Sequence, residues 1–199
     1  MRRVREAYAE RAVEYINLFA DIDAAAKEDR EQLPAWAEAV AGPIIDVGCG
    51  PGQWTGYLHR HGVDIRGVDP VPAFINEARQ RRPGIDYQVG FGDRLDAEDA
   101  SLGGVLAWFS LIHTEPVEIS EILSEFARCV RPSGGLAIGF FTGATLAAFD
   151  HAVTTAYLWP TDLLCARVTE AGFAITAVHT RTDPGSRPQG TILAERCAP

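Results

Sequence analysis

Apolar residues follow two spacings along the chain, and each spacing predicts its own kind of element. Short apolar runs bounded by Gly, Pro or Asp are typical of strands buried on both faces of a sheet. Such runs occur at 44–47, 63–69, 85–91, 103–110, 136–141, 173–180 and 189–197. A spacing near 3.6 residues predicts helices. These helices are expected at 2–20, 32–41, 54–61, 74–82, 116–130 (ended by the glycine segment 131–135) and 161–171.

The order of these elements predicts an α/β fold with a doubly wound, mostly parallel sheet of seven strands. The tight joint at 183–188 indicates that the last two strands form a hairpin, so the last strand is antiparallel. We expect an N-terminal helical cap over 1–40 and one globular domain over 41–199. The mostly charged segment 21–31 is expected to be a mobile connection, and 142–160 an insertion that breaks the alternation.

A glycine turn at 43–56, PIIDVGCGPGQWTG, is the feature that first indicates a ligand. Gly48, Gly50 and Gly52 let a ligand approach the backbone, and the helix that follows offers free N–H groups. In the dinucleotide-binding pattern G-x-G-x-x-G, the third glycine would fall at Gln53. Asp46, at the end of the strand, would repel a pyrophosphate but would suit a cation. The turn therefore favours a nucleotide-like ligand that carries a positive charge.

This stretch resembles motif I of the class I S-adenosylmethionine-dependent methyltransferases. The family pattern D/E-x-G-x-G-x-G is matched by Asp46, Gly48, Gly50 and Gly52. The resemblance implies the Rossmann-like methyltransferase fold and S-adenosylmethionine as cofactor, with S-adenosylhomocysteine as product. It also implies that the loop, with Cys49 and Trp54, lies against the methionine part of the cofactor.

A second acidic residue stands at the expected distance from the turn. Asp69 ends the second predicted strand 21 positions after Gly48, close to the offset at which a strand-end acid reaches a ribose. We expect its carboxylate to accept hydrogen bonds from ribose hydroxyls, with Pro70 beside it.

The third strand leaves two alternatives for the residues near the adenine. In the family, a glycine followed by an acid borders the adenine and receives its amino group. Either Gly90 holds the glycine position and Phe91 stacks on the ring, with backbone N–H groups near Gly92 and Asp93 as polar contacts, or Gly92–Asp93 is the true pair.

Aromatic residues outside the turn are the candidates for contacts with the reacting groups. The cap carries Tyr8, Ala12 and Tyr15 at the spacing with which an N-terminal helix in this family closes over cofactor and substrate. The segment after the fourth strand, with Trp108, Phe109 and the sequence SLIHTEP, resembles small-molecule methyltransferases of the ubiquinone and menaquinone biosynthesis type.

That segment lacks the Asp-Pro-Pro-Tyr of the amino-methylating DNA enzymes. His113 within it could face the transferred methyl group or remove a proton from the acceptor. Substrate contacts are also expected from His151, Tyr157 and Trp159 in the insertion, besides Tyr8 and Tyr15.

The composition of the chain bears on its partners, its location and the presence of a metal site. A net charge of −9 and a pI near 5.0 argue against a non-specific grip on nucleic acid. No apolar run is long enough for a membrane span and the N-terminus is charged throughout, so a cytoplasmic location is expected. The four cysteines lie far apart and His59 and His61 are two positions apart, so no metal site is expected.

The sequence thus predicts methyl transfer from S-adenosylmethionine to a small-molecule acceptor, mainly through positioning, by a monomer or homodimer. A nicotinamide-dependent oxidoreductase and a non-catalytic S-adenosylmethionine-binding protein remain as alternatives.

Overall fold

Five parallel strands form the centre of the sheet in the computed structural model, which describes residues 2–198. Their spatial order is β3-β2-β1-β4-β5, so the chain changes direction between β1 and β4. Ligands of open α/β sheets bind at the carboxyl ends of the strands beside such a switch point. The strands are β1 Ile44–Val47, β2 Ile65–Asp69, β3 Tyr87–Val89, β4 Leu102–Trp108 and β5 Val130–Thr142.

Two further strands complete the sheet as the antiparallel hairpin that the sequence predicts, and only the last of them runs against the central strands. β9, Gln189–Arg196, pairs with β5 in a register that places Ile138 opposite Ile192. β8, Phe173–Arg181, pairs antiparallel with β9. The order β3-β2-β1-β4-β5-β9-β8 confirms the doubly wound, mostly parallel seven-stranded sheet with an antiparallel last strand.

The insertion at 142–160 contains two further strands that the sequence pattern does not predict. β6, Ala147–Asp150, and β7, Thr155–Trp159, form an antiparallel hairpin. β7 joins the main sheet through short parallel pairing with the end of β5, where Phe141 lies opposite Leu158. The hairpin therefore extends the sheet to nine strands and places the insertion beside the carboxyl end of β5.

The N-terminal region differs from the prediction in two ways. The helix expected at 2–20 is two helices, because the backbone leaves helical geometry at Arg11, with φ −108° and ψ 16°. The prediction of a mobile connection at 21–31 is wrong, because most of this segment is helical. This region holds a short 3₁₀ helix and the start of a long α-helix, and the Asp29 side chain is buried against Arg181. The helices here are α1 Arg2–Glu10, α2 Ala12–Phe19, the 3₁₀ helix Ile22–Ala24 and α3 Lys27–Ala39.

The remaining helices cover the sheet. They are α4 Gln53–Arg60, α5 Pro72–Arg81, α6 Ile119–Cys129 and α7 Thr161–Glu170. The segment 131–135, expected as a turn, lies instead within β5. There the pairing with β4 shifts from Leu102–Val130 to Gly104–Gly135, and Ser133 has a φ of 61°. No helix among residues 2–198 is long and apolar enough to span a membrane.

The core lies on both faces of the sheet, which explains the unbroken apolar runs of the central strands. Successive residues of a strand point to opposite faces. In β1, Ile44 packs with Leu33 of α3 and Leu58 of α4, whereas Ile45 packs with the cluster that includes Leu123 and Phe126 of α6. A strand covered on both sides is therefore apolar at most positions, and the polar residues Asp46 of β1 and Asp69 of β2 lie near the carboxyl ends, where the site lies.

Candidate active site

A cavity opens at the carboxyl ends of β1, β2 and β4, under helices α1 and α2. This cavity, called the turn cavity below, brings together most of the residues that the sequence predicts as a site. Those lining it are Tyr8, Tyr15, Asp46, Gly48, Cys49, Gly50, Trp54, Asp69, Pro70, Gly90, Gly92, Trp108, Phe109 and His113.

The glycines of the turn have different structural roles. Gly48 has a φ of +72°, and a Cβ there would lie 2.3 Å from the Cβ of Ser110, so the turn packs directly on the segment after β4. Gly52 does not line the turn cavity. It precedes α4 with a φ of +81°, and a Cβ there would meet the Tyr87 ring at 2.7 Å. Gly52 therefore has a packing role, and its contact with the cofactor stays a prediction.

Asp69 is buried at the end of β2 and holds the glycine turn in place. Its Oδ2 accepts a hydrogen bond from the Gly50 N–H at 2.9 Å, and its Oδ1 accepts one from the Val71 N–H at 2.8 Å. Burial raises the pKa of Asp69 to about 6, although the two N–H donors oppose this. Each carboxylate oxygen has a further lone pair. The group can therefore keep both backbone bonds and still accept hydroxyl donors.

Asp46 is a second buried carboxylate in the same cavity, only 2% exposed. The Thr55 hydroxyl donates to its Oδ2 at 2.7 Å. Burial, together with a smaller effect of the Asp69 charge, raises the pKa of Asp46 to about 7, although the hydrogen bond from Thr55 opposes this. Two carboxylates that each disfavour the other's ionisation favour a ligand that brings positive charge.

Tyr8 and His113 form a hydrogen-bonded pair between helix α1 and the segment after β4. The Tyr8 hydroxyl lies 2.9 Å from Nε2 of His113, and Nδ1 of His113 lies 2.7 Å from the Thr155 carbonyl oxygen. A carbonyl oxygen only accepts, so Nδ1 carries the proton and Nε2 accepts from Tyr8. Burial lowers the pKa of His113 and raises the pKa of Tyr8. Both side chains are therefore uncharged near neutral pH.

A second cavity of about 430 Å³ adjoins the first and is lined by seven Phe, Tyr and Trp side chains besides charged, polar and small residues. We call it the aromatic chamber. Its volume falls in the range of small-molecule sites, about 300–1,000 Å³. His151 lines it, with its ring centroid 5.1 Å from that of His113. Six residues line both cavities, namely Tyr8, Tyr15, Gln53, Trp54, Trp108 and Phe109.

Four other predicted site residues lie outside both cavities. Phe91 lies on another surface of the sheet with Val68 and Arg94, and Asp93 is exposed. Tyr157 and Trp159 pack against the core near Leu164, because alternate residues of β7 point to the same side. Of the two alternatives for the adenine border, the structure brings only the glycines, Gly90 and Gly92, to the turn cavity.

Several residues of the turn cavity were not predicted from the sequence, and two of them carry polar atoms without a hydrogen-bond partner. Gln53 Oε1 and Ser110 Oγ are buried without a hydrogen-bond partner. Their positions were signals that could have found them, since Gln53 begins α4 directly after the turn and Ser110 follows β4 at the switch point. The other missed residues are Val4, Arg5, Val47, Val71, Phe74, Leu111 and Ile122.

The part of the chain that the structure describes contains no cluster of side chains suited to bind a metal ion. Residues 2–198 contain no group of three or more His, Cys, Asp or Glu side chains that could hold a metal ion. The four cysteines are free thiols, and burial raises the pKa of Cys49 in the turn.

The comparisons with known proteins agree with this geometry. Residues 44–134 match the family model described as a methyltransferase domain. The chain is 34% identical over 121 residues to a ubiquinone biosynthesis O-methyltransferase of Methylocella silvestris, covering 57% of this chain and 44% of that protein. It is 27% identical over 183 residues to an uncharacterized methyltransferase of Synechocystis sp., covering 82% of each. The chain spans only 40% of the length of the first curated relatives it matches.

Among solved structures, the 1,6-didemethyltoxoflavin-N1-methyltransferase of Burkholderia thailandensis has a TM-score of 0.82 and 18% identity. The match covers 98% of this chain and 88% of that one. The fold is that of the class I S-adenosylmethionine-dependent methyltransferases. Residues 44–134, which include the glycine turn and Asp69, are the part of this fold that matches the methyltransferase domain.

Proposed function

We propose that this protein transfers the methyl group of S-adenosylmethionine to a small-molecule acceptor. The observation that carries the proposal is the wall of six residues shared by the turn cavity and the aromatic chamber. A cofactor in the first cavity and an acceptor in the second would meet at this wall, which is the arrangement that methyl transfer requires.

The turn cavity fits this cofactor through the chemistry of its donors and acceptors. Asp69 can accept hydrogen bonds from the ribose hydroxyls, and Asp46 provides negative charge for the cationic methionine part. Gln53 and Ser110 offer polar atoms that have no partner within the protein. The Burkholderia relative in the same fold was solved with S-adenosylhomocysteine, which supports this assignment.

The bound cofactor supplies a methyl group that its sulfonium already makes electrophilic. The protein therefore has to align the acceptor and exclude water, and alignment alone can lower a barrier by about 7–11 kcal/mol. The rings of Tyr15, Trp54 and Trp108 at the shared wall would perform this alignment.

The pair of Tyr8 and His113 can take the proton that an acceptor O–H or N–H loses. His113 is neutral with its lone pair on Nε2, and the Tyr8 hydroxyl donates to that lone pair. A proton from the acceptor can pass to the Tyr8 oxygen while the Tyr8 proton moves to Nε2. The backbone carbonyl of Thr155 then holds the imidazolium through Nδ1. We assign His113 as the proton acceptor and Tyr8 as the group that connects it to the chamber.

The cellular context is part of the same proposal. The acidic net charge of −9 supports a small-molecule acceptor rather than a nucleic acid. We also propose a cytoplasmic location, a monomer or homodimer, and a cap over 1–40 on a domain over 41–199.

Calorimetric titration of the purified protein with S-adenosylhomocysteine and, separately, with NADH tests the cofactor. Binding of the first and not of the second is expected. Tight binding of NADH alone would indicate a nicotinamide-dependent oxidoreductase. A methylation assay on a metabolite extract, with isotopically labelled S-adenosylmethionine, then tests the reaction. Cofactor binding without any labelled product would identify a non-catalytic binding protein.

A further inference from the structure

We propose that the acceptor is a flat aromatic molecule that carries no negative charge. This inference rests on the proposed function, because it assigns the aromatic chamber to the methyl acceptor. Two independent properties of the chamber lead to it, the arrangement of its rings and the distribution of its charges.

The walls of the chamber are aromatic on several sides. Neighbouring rings meet edge-on or tilted, with centroid distances of 6.0 Å for Trp54–Trp108, 5.5 Å for Trp108–Phe109 and 5.3 Å for Phe109–Phe141. Tyr15 and Phe19 face the chamber from α2. Rings held at such angles present faces and edges to a planar guest, and aromatic pairs prefer offset or edge-to-face contact. A flat ring system would therefore contact these walls better than a puckered one of the same size.

The charged groups that line the chamber are mainly acidic. Asp21, Asp29 and Asp183 contribute carboxylates, and Arg181 is the one Arg or Lys side chain among its described lining residues. His151 adds no positive charge at neutral pH, because burial and the nearby His113 lower its pKa to about 4.

The donors of Arg181 are already occupied. Its Nη2 donates to Asp29 Oδ2 and to Gln189 Oε1, both at 2.8 Å, and its Nε donates to Asp183 Oδ2 at 3.1 Å. Its Nη1 donates to the other oxygen of Asp29. A carboxylate or phosphate on the acceptor would have to displace one of these partners, and displacement from Asp29 would leave a buried acid unpaired.

Two other arginines lie near the chamber without lining it. Arg11 is paired with Glu14 and donates to the Ala152 carbonyl oxygen. Arg187 lies over the Phe149 ring, 4.2 Å from its centroid. The three carboxylates and one arginine of the chamber leave a net negative charge. An anionic acceptor would lose its hydration there and would also be repelled by this charge, so its binding is disfavoured.

Three naphthalene derivatives test both properties by calorimetry. 2-Naphthol is flat and neutral, 6-hydroxy-2-naphthoate adds a carboxylate to the same ring system, and decahydro-2-naphthol keeps the size but is not flat. We expect 2-naphthol to bind at least about tenfold more tightly than either of the others. Equal affinity for 2-naphthol and its carboxylate, equal affinity for the saturated alcohol, or no binding of 2-naphthol at millimolar concentration overturns the proposal.

The substitution Asp183→Asn tests the role of charge directly. It should strengthen binding of 6-hydroxy-2-naphthoate by at least about threefold relative to binding of 2-naphthol. The matched control is Asp162→Asn, an exposed acid on α7 away from the chamber, which should change neither affinity. If the ratio of the affinities for 6-hydroxy-2-naphthoate and 2-naphthol is the same in the Asp183→Asn variant as in the wild type, the charge argument is contradicted. Each titration is run with and without S-adenosylhomocysteine. Failure of S-adenosylhomocysteine to bind overturns the proposed function, whereas its binding without discrimination among the three naphthalene derivatives overturns only the present proposal.

Discussion

The hydroxyl of Tyr8 lies 2.9 Å from Nε2 of His113, although the two residues are 105 positions apart in the sequence. The substitution Tyr8→Phe removes the donor that links His113 to the chamber. It should lower kcat by about 10²-fold with a smaller change in KM, because general-base catalysis typically accelerates a reaction by about 10²–10⁴-fold. Steady-state kinetics measures both constants once an acceptor is known.

The double variant with His113→Gln provides the stricter test of this pair. If the two residues act as one unit, it should be hardly slower than either single variant. Tyr157→Phe serves as the control, since that ring lies outside both cavities. Multiplicative losses in the double variant would show that the two side chains act separately.

Asp69→Asn should weaken S-adenosylmethionine binding by about 10–100-fold. The substitution removes the charge from hydrogen bonds worth about 1.5–3 kcal/mol and places an amide beside the N–H groups of Gly50 and Val71. Calorimetry measures the affinity, and thermal unfolding checks that the variant is folded. Asp93→Asn is the matched control, and its affinity should equal that of the wild type, because Asp93 is exposed outside the cavity. A comparable loss for Asp93→Asn would instead restore the Gly92–Asp93 pair as the border of the adenine.

The two buried carboxylates should make cofactor affinity and stability change in opposite directions with pH. The pKa of Asp46 is raised to about 7 and that of Asp69 to about 6, above the value near 3.9 of an unfolded chain. Their contribution to the stability of the unliganded fold is therefore complete below that unfolded value and is lost as pH rises through about 6 to 7. A cationic ligand needs the ionised forms, so its affinity should fall as pH drops from about 8 to about 5.

Asp46→Asn separates these effects. At about pH 8 the variant should melt at least about 2 °C higher than the wild type, and near pH 4 this difference should vanish. Its affinity for S-adenosylmethionine should be lower at pH 8 and should depend less on pH. A variant that is less stable than the wild type at pH 8 would show that the Asp46 carboxylate supports the fold instead of straining it.

Ser110→Ala should weaken the cofactor by about 3–10-fold without lowering the melting temperature. The Ser110 hydroxyl is buried and has no partner in the protein, so its removal costs no internal hydrogen bond. Ser124→Ala is the control, because that hydroxyl donates to the Ser120 carbonyl on α6, away from the cavity. An affinity equal to that of the wild type would exclude Ser110 from the cofactor site.

Local pattern was sufficient to predict the centre of the fold and its binding turn. The apolar run of β1, the alternating glycines and the strand-end position of Asp69 all lie within 27 residues, from 43 to 69. Each depends on near neighbours in the sequence, since a parallel strand pair brings consecutive strand ends to one edge. Tyr8 and Tyr15 were expected near the cofactor only through the family resemblance. Both line the turn cavity, although the single helix expected to carry them is broken at Arg11.

The errors came where distant residues decide the local structure. Asp29 looks like part of a solvated charged segment, and only its pairing with Arg181, 152 positions away, explains why it is buried in a helix. Tyr157 and Trp159 lie on a strand whose facing is set by pairing with Phe141 and Thr142. A register cannot be read from an irregular segment, and a shift of one residue would have turned both rings to the other face.

Tyr8 and Tyr15 belong to the first two helices, yet both line the turn cavity and the aromatic chamber. Displacing these helices would therefore unseal both compartments in a single event. In kinetic terms, acceptor entry, product departure and cofactor exchange would then share one opening rate, and that rate would set an upper limit on turnover however fast the chemical step is.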